Sequence, residues 1–199
     1  MTTFLLVRDA DHDWVGRGFA GRQPDVSLNA KGHQQARQLV ERLRGQPLDA
    51  IYCSPQPRTQ QTARPLAEAR GLEILVVEAF DEVGLGEWQG RTFEEVRHQE
   101  AWRHWLERRG SAQPPGGEPF AEVPRRAMAG LRALLARHPD RYVMIVSHGD
   151  VLKAMVADVL GLSLDRLESF DIAPASVSVL AMGEGWAQVR LLNAVGALY

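Results

Sequence analysis

The 199 residues carry 23 Lys and Arg against 25 Asp and Glu, a formal net charge of −2. Because the Arg residues are spread along the whole chain and form no basic stripe, a nucleic-acid partner is not expected. Cys53 is the single cysteine, so an internal disulfide framework is excluded, and no apolar run is long enough to span a membrane. Met1, Thr2 and Thr3 lead directly into a strand pattern, with no basic region or leader segment before it, and the expected setting is cytoplasmic and off the membrane. The length suits one domain over residues 1–199, large enough to bury a core without disulfides or metal.

Residues 3–8 read as a short buried strand, and the polar, glycine-containing stretch that follows to Leu28 reads as an active-site loop. Ala36, Leu39, Val40 and Leu43 recur at helical spacing over residues 30–43, and Gly45 stops that helix. Residues 49–53 return to strand. A helix is expected over 57–69, opened by Pro57 and kinked or shortened by Pro65. Residues 73–77 form a third strand, and residues 93–108 an Arg-, Glu- and Trp-rich helix. A Pro/Gly loop over 111–119 precedes a long helix over 121–137. The most apolar strand covers 142–147, followed by a helix over 150–160. Residues 176–182 and 186–192 alternate like an antiparallel pair joined through Gly183, Glu184 and Gly185. Strands and helices alternate until that final pair. The fold class is therefore α/β: a single-domain three-layer sandwich, with a mainly parallel sheet, an antiparallel edge and helices on both faces.

On such a sheet, ligands gather at the carboxyl ends of the strands. Arg8 and Asp9 follow the first strand, Ser54 and Arg58 the second, Glu82 the third, and His148 the strand over 142–147. Four loops should therefore converge on one pocket. Arg8 and Arg58 are permanently charged, planar donors suited to a phosphoryl dianion, and the helix opened by Pro57 points its positive end the same way. Gly149 allows a tight strand-to-helix turn and close backbone approach to a ligand. Cys53 reads as a core filler. The histidines are scattered and no His, Asp and Glu set has ligand spacing, so neither a metal nor another cofactor is expected.

Four segments occur in order over nearly the whole chain. They are Val7 and Arg8; Ser54 through Ala63 with Arg58 within it; Glu82 through Gly90; and Val146, Ser147, His148 and Gly149. This ordered set resembles the histidine phosphatase superfamily, which includes phosphoglycerate mutases and many phosphomonoesterases. The resemblance implies that Arg8, Arg58, His148 and Gly149 bind and stabilise the transferring phosphoryl group, and that Glu82 is the general acid; Asp81 is the runner-up and reads as a surface neighbour. It also places Arg22 near the pocket mouth as a further phosphate contact.

In that family a histidine directly after the first Arg attacks phosphorus. Asp9 stands there in this chain. An aspartate oxygen reaches about 1 Å less far than the distal imidazole nitrogen, a misplacement that can cost ~100-fold, and its charge would repel the dianion. His12 falls where the family has a Thr-like residue and reads as a poor substitute. Asp9 is instead expected to stay ionised and pair with Arg8 and Arg58. Two accounts of Asp9 compete: a member that has lost its nucleophile and survives as a ligand binder, or an active phosphatase whose histidine has been replaced. The retained Arg8, Arg58, Glu82 and His148 favour the second. The expected reaction is hydrolysis of a phosphate monoester through phosphohistidine, impaired here by Asp9. The alternatives are a non-catalytic phospho-ligand binding or scaffolding protein, whose partner surface could involve Trp88, Trp102 and Trp105, and mutase-type phosphoryl transfer. The ligand is a small phosphorylated metabolite or inorganic phosphate; a homodimer stays open.

Overall fold

The computed structural model describes residues 1–197. Its elements in chain order are β1 (Thr2–Arg8), α1 (Ala30–Arg42), β2 (Ala50–Cys53), α2 (Pro57–Arg70), β3 (Ile74–Val76), α3 (Phe93–Val96), α4 (Glu100–Glu107), α5 (Glu122–Arg137), β4 (Tyr142–Ser147), α6 (Gly149–Leu160), β5 (Val177–Gly183) and β6 (Trp186–Ala194). Short 3-10 turns occupy the links at Glu78–Phe80, Gly86–Trp88, Arg109–Ser111 and Leu164–Ser169.

The six strands form one sheet in the order β3-β2-β4-β1-β5-β6. Pairings β2 with β3, β2 with β4 and β1 with β4 are parallel, whereas β1 with β5 and β5 with β6 are antiparallel. The central strands are buried on both faces, which is why they read as continuous apolar runs. Their alternation nevertheless divides the core. Phe4 and Leu6 of β1 face the layer built by α5 and α6, while Leu5 and Val7 face Leu39 of α1 and Leu66 of α2. Successive side chains on a strand point to opposite faces, so one short strand holds both layers together. The three-layer α/β arrangement is as expected.

Three local differences have physical causes. Pro65 does not end α2, which runs on to a left-handed cap at Gly71. Leu66 and Ala67 beyond the proline are buried, and packing of that face outweighs the local propensity cost. The single helix expected over 93–108 is two, α3 and α4. Thr92 caps α3 in a reciprocal box with Glu95, and α4 starts afresh at Glu100. Finally, β3 is only three residues long, a short edge strand of the kind that avoids presenting free backbone groups for pairing.

Helix α1 is locked against the loop that follows β1. Asn29 caps it by accepting from Gly32 N, and Asn29 Nδ2 donates to Asp11 Oδ1 at 2.8 Å. A Cβ on Gly32 would lie 2.0 Å from the backbone oxygen of Asp11. In an ordinary helix, Gly→Ala gains about 1 kcal/mol. Here Gly32→Ala should instead destabilise by about 1–3 kcal/mol, because overpacking against backbone must be relieved by movement. Urea unfolding would check this, and an unchanged or raised midpoint would show that α1 and the loop are not tightly locked.

Candidate active site

The sheet register brings the site together. Arg8 lies opposite Ser147, Asp9 N donates to Ser147 O at 2.8 Å, and Ser54 N donates to Val146 O at 3.0 Å. The ends of β1, β4 and β2 are thus laced side by side, and Asp9, His148 and Ser54 emerge as neighbours. Strand β3 is followed by the Glu78–Phe80 turn, which carries Asp81 and Glu82 over the same edge.

Asp9 Oδ2 is the meeting point. It accepts from Arg58 Nε at 2.8 Å, lies 3.3 Å from His148 Nδ1 and 3.6 Å from His12 Nε2. Arg58 and His148 are fully buried beneath it. Arg58 Nη2 also donates to Gly21 O at 2.8 Å and sits 3.8 Å from Glu82 Oε2. His148 Nδ1 is 3.6 Å from that same Glu82 oxygen. One guanidinium, one imidazole and two carboxylates therefore share a single small volume. Burial by itself would raise the Asp9 carboxyl, but the charge of His148, hydrogen bonding from His12 and His148, and the charge of Arg58 outweigh it and hold Asp9 well below the usual carboxylate range. Glu82 moves the other way. Burial raises it, opposed by His148 and Arg58 and reinforced by the negative Asp150 and Asp9. Two neighbouring carboxyl groups are thus driven apart, one to stay ionised and one to retain a proton longer.

His148 is oriented by a chain that the sequence alone did not foresee. Its Nε2 lies 2.7 Å from Ser54 Oγ, and Ser54 Oγ donates to Asp81 Oδ1 at 3.3 Å. Asp81 Oδ1 also accepts from Gln56 Nε2 and from the backbone N of Glu82. The Ser54 hydroxyl points its proton at Asp81, so it receives the Nε2 proton of His148 and turns Nδ1 toward Asp9 and Glu82. Asp81, expected at the surface, is buried, because Ser54, Gln56 and the Glu82 backbone all bond to its carboxylate, and it is a positioning group. The sequence signal for Ser54 was its place directly after β2; for Asp81 it was only adjacency to Glu82.

Arg8 takes a different position. Its Nη1 donates to Ile172 O at 2.6 Å, and among the described residues no hydrogen bond or ion pair joins it to Asp9. The expected pairing of Asp9 with both guanidinium groups is found on the Arg58 side alone. A Cβ on Gly149 would fall 3.2 Å from Cζ and Nε of Arg8, so glycine at the first residue of α6 lets the guanidinium rest against that helix end. Such an end offers backbone N–H groups and a partial positive charge to an anion.

The pocket above this cluster has a volume of about 240 Å³ and is lined by Arg8, Asp9, His12, Glu82, Gly149 and Lys153 among others. Arg58 and His148 are buried against Asp9 and do not themselves line the pocket. Val15, Gly16 and the run Gly18 to Gly21 also line it, whereas residues 87–89 and 111–119 do not. Arg22 is drawn aside into a separate acidic cluster, with Nε 3.2 Å from Asp81 and Nη2 3.0 Å from Glu118, and it is absent from the pocket lining. Trp88 and Trp105 are buried, and Trp88 stacks on Phe19 with centroids 5.4 Å apart. These indoles are a wall behind the loop rather than an exposed partner surface. Burial pushes the Cys53 thiol far up, which leaves it inert. Among the described residues no group of His, Cys, Asp and Glu stands at metal-holding distance, and no helix is long and apolar enough to cross a membrane.

Two Arg and a His thus stand at the carboxyl edge of a mixed α/β sheet, with the Glu82 carboxyl close to Arg58 and His148. The histidine phosphatase superfamily (branch 1) matches residues 4–195, and the chain belongs to that family. Phosphoserine phosphatase 1 of Hydrogenobacter thermophilus is 37% identical over 197 residues, 97% of this chain and 92% of the relative. A probable phosphoglycerate mutase, GpmB, of an Enterobacter species is 34% identical over 164 residues, 81% of this chain and 76% of the relative. The solved structure of Bacillus stearothermophilus YhfR superposes with a TM-score of 0.91 at 33% identity, covering 97% of each chain.

Replacing Asp9 with Asn removes the charge that balances Arg58 and His148. The substitution should cost about 3 kcal/mol of stability at neutral pH, as for other broken buried pairs. The folded-state carboxyl is depressed, so its stabilisation is present above the unfolded value of about 4 and fades as pH falls through the folded one. Unfolding of both proteins from neutral to acid pH should therefore show a gap that narrows below about pH 4; a gap independent of pH would remove the ion pair from the account.

Proposed function

We propose that the pocket is a phosphate monoesterase site in which Arg8, Arg58, His148 and Gly149 hold the phosphoryl group and Glu82 protonates the leaving oxygen. The observation that carries this reading concerns unpartnered nitrogens. Four buried side-chain polar atoms lack a hydrogen-bond partner among the described residues, and three are Arg8 Nε, Arg58 Nη1 and His12 Nδ1. Buried donors left open are costly, and two unpartnered guanidinium nitrogens on either side of Asp9 favour an anion as the missing acceptor. Membership of a family whose relatives are named phosphatases supports phosphatase activity. The ligand class is a small phosphorylated metabolite or inorganic phosphate. Arg22, committed to Asp81 and Glu118, would contribute to phosphate only after exchanging partners.

The reaction can be followed from the residues. The two guanidinium groups and the α6 terminus neutralise the dianion and fix it for in-line attack. The raised Glu82 carboxyl supplies a proton to the departing alkoxide. In the parent chemistry an imidazole at position 9 attacks phosphorus, and water then discharges the phosphohistidine. Asp9 instead presents a shorter, negatively charged group already bound to Arg58, so turnover is impaired. A non-catalytic phospho-ligand binder is the second reading, and the Asp9–Arg58 pair favours it. Mutase-type transfer shares the first half-reaction.

Asp9→His should raise hydrolysis of an aryl phosphate by at least ~100-fold over the unaltered chain. No gain would count against an active-site frame built for phosphohistidine and leave the binder. In the Asp9→His background, Glu82→Gln should lower kcat for a poor alkyl leaving group by ~100-fold or more. The loss should be smaller for an aryl leaving group, which needs no proton; equal losses for both would deny Glu82 the acid role.

A further inference from the structure

We propose that Glu118 is a positioning residue which, through Arg126 and Arg22, fixes the turn that carries the general acid Glu82. The inference deepens the phosphatase reading and rests on it for the role of Glu82.

Three segments distant in the chain meet on one peptide group. The backbone oxygen of Glu82 accepts from Arg22 Nε at 2.7 Å and from Arg126 Nη2 at 3.1 Å. Two guanidinium groups on one carbonyl call for an anion between them, and Glu118 supplies it. Its Oε1 accepts from Arg126 Nε at 2.7 Å, and its Oε2 accepts from Arg126 Nη2 at 3.1 Å and from Arg22 Nη2 at 3.0 Å. The fork on Arg126 is bidentate, a geometry that fixes direction as well as distance. Glu118 Oε2 also accepts from Gly84 N at 3.0 Å, and Glu118 N donates to Gly84 O at 2.6 Å. The N–H and C=O of Gly84 and the carbonyl of Glu82 are therefore all held by one residue and its partners. Burial would raise the Glu118 carboxyl, but bonding from Arg126 and Gly84 and the charges of Arg126 and Arg22 hold it below the usual range, so it is ionised at neutral pH.

The brace reaches the acid through one short turn. Glu82 Oε1 accepts from Val83 N at 2.8 Å, while Oε2 lies 3.8 Å from Arg58 Nη2 and 3.6 Å from His148 Nδ1. Rotation of the Glu82 peptide would carry the carboxyl with it, and a displacement of about 1 Å from a remote change can cost ~100-fold. The Pro/Gly loop over 111–119, which does not line the pocket, has its place here. Pro115 O accepts from Glu87 N at 2.9 Å, and a Cβ on Gly86 would fall 2.2 Å from that same oxygen, so loop and turn are in backbone contact. Charged groups face Glu82 from several elements: Asp9 and Arg22 from the loop after β1, Arg58 from α2, Asp81 beside it, His148 and Asp150 at the start of α6, and Arg126 from α5. Asp81 meets Arg22, but Glu118 alone bonds both guanidinium groups at the Glu82 carbonyl. Without Glu118 their charge favours the ionised Glu82 carboxyl, and a loosened turn opens that carboxyl to water, which acts in the same direction. Either change removes the proton that the leaving oxygen needs.

The test follows the Glu82 carboxyl by carbon NMR titration of the full chain, with Glu82→Gln assigning the signal, before and after Glu118→Ala. That change should move the Glu82 titration to lower pH. In the Asp9→His chain it should lower kcat for a poor alkyl leaving group by roughly tenfold with KM unchanged, and lower it less for para-nitrophenyl phosphate, whose leaving group needs no proton. Glu118→Gln can still accept from Gly84 N and should recover part of the loss. On a Glu82→Gln background Glu118→Ala should add nothing further, because the two residues act as one unit. Where Glu118→Ala gives no folded spectrum, Glu118→Gln carries both readouts, with the same directions and smaller size. A Glu82 titration left in place, or equal losses for the two esters, overturns the proposal and leaves Glu118 a support of the fold. If Asp9→His hydrolyses neither ester while Glu118→Ala still moves the Glu82 titration, the phosphatase reading falls and the positioning stands.

Discussion

The buried contact between Arg58 and Asp9 is the constraint on which the site depends. A guanidinium with no exposure must meet a negative group or an anion. Here the loop after β1 supplies that group, with His148 as a second partner. Together with His148, the larger influence, Arg58 holds Asp9 well below the usual carboxylate range despite burial, while burial and the Asp9 charge push Glu82 up. The Arg58–Asp9 contact also sets the chemical difficulty. The carboxylate occupies part of the donor capacity that a phosphoryl group would use, and any ligand must compete with it.

Backbone architecture makes that contact possible. Parallel pairing of β1 with β4 and of β4 with β2 ends three chains at one level. The charges then arrive from loops that are themselves fastened: the first by Asp11 to α1, with Lys31 and Asn29 as its partners, the last by Gly149 at the start of α6. Behind the pocket, Phe19, Trp88, Trp102 and Trp105 form an aromatic wall, with edge-on and stacked contacts of 5.4 to 5.8 Å. Rigid surroundings of this kind keep charged groups within reach of one another without water relaxing the field.

Much of this was legible in the chain. The apolar run over residues 3–8, the Ser-Pro turn before Arg58, and Ser147, His148 and Gly149 each carry a local signature, because strand ends and helix starts are marked by short-range chemistry. The split of the 93–108 segment into two helices was less legible, since the capping box at Thr92 and Glu95 lies at the edge of a pattern that is apolar on both sides of the break. Pro65 misled for the opposite reason: a local breaker was overruled by burial of Leu66 and Ala67. Ser54 and Asp81 had no pattern of their own, because their orienting role exists only once β2 and β4 lie side by side.

The sequence by itself determined the α/β class, the order of the elements and the residues that could bind an anion. These follow from periodicity, turn chemistry and side-chain type, all of which act over a few residues. Only the tertiary structure decided that Asp9 pairs with Arg58 and not with Arg8, that Arg22 is held by Asp81 and Glu118, and that His12 lines the pocket beside Asp9. Those choices are made by electrostatics and packing between segments far apart in the chain, where separations of a few ångströms select one partner over another.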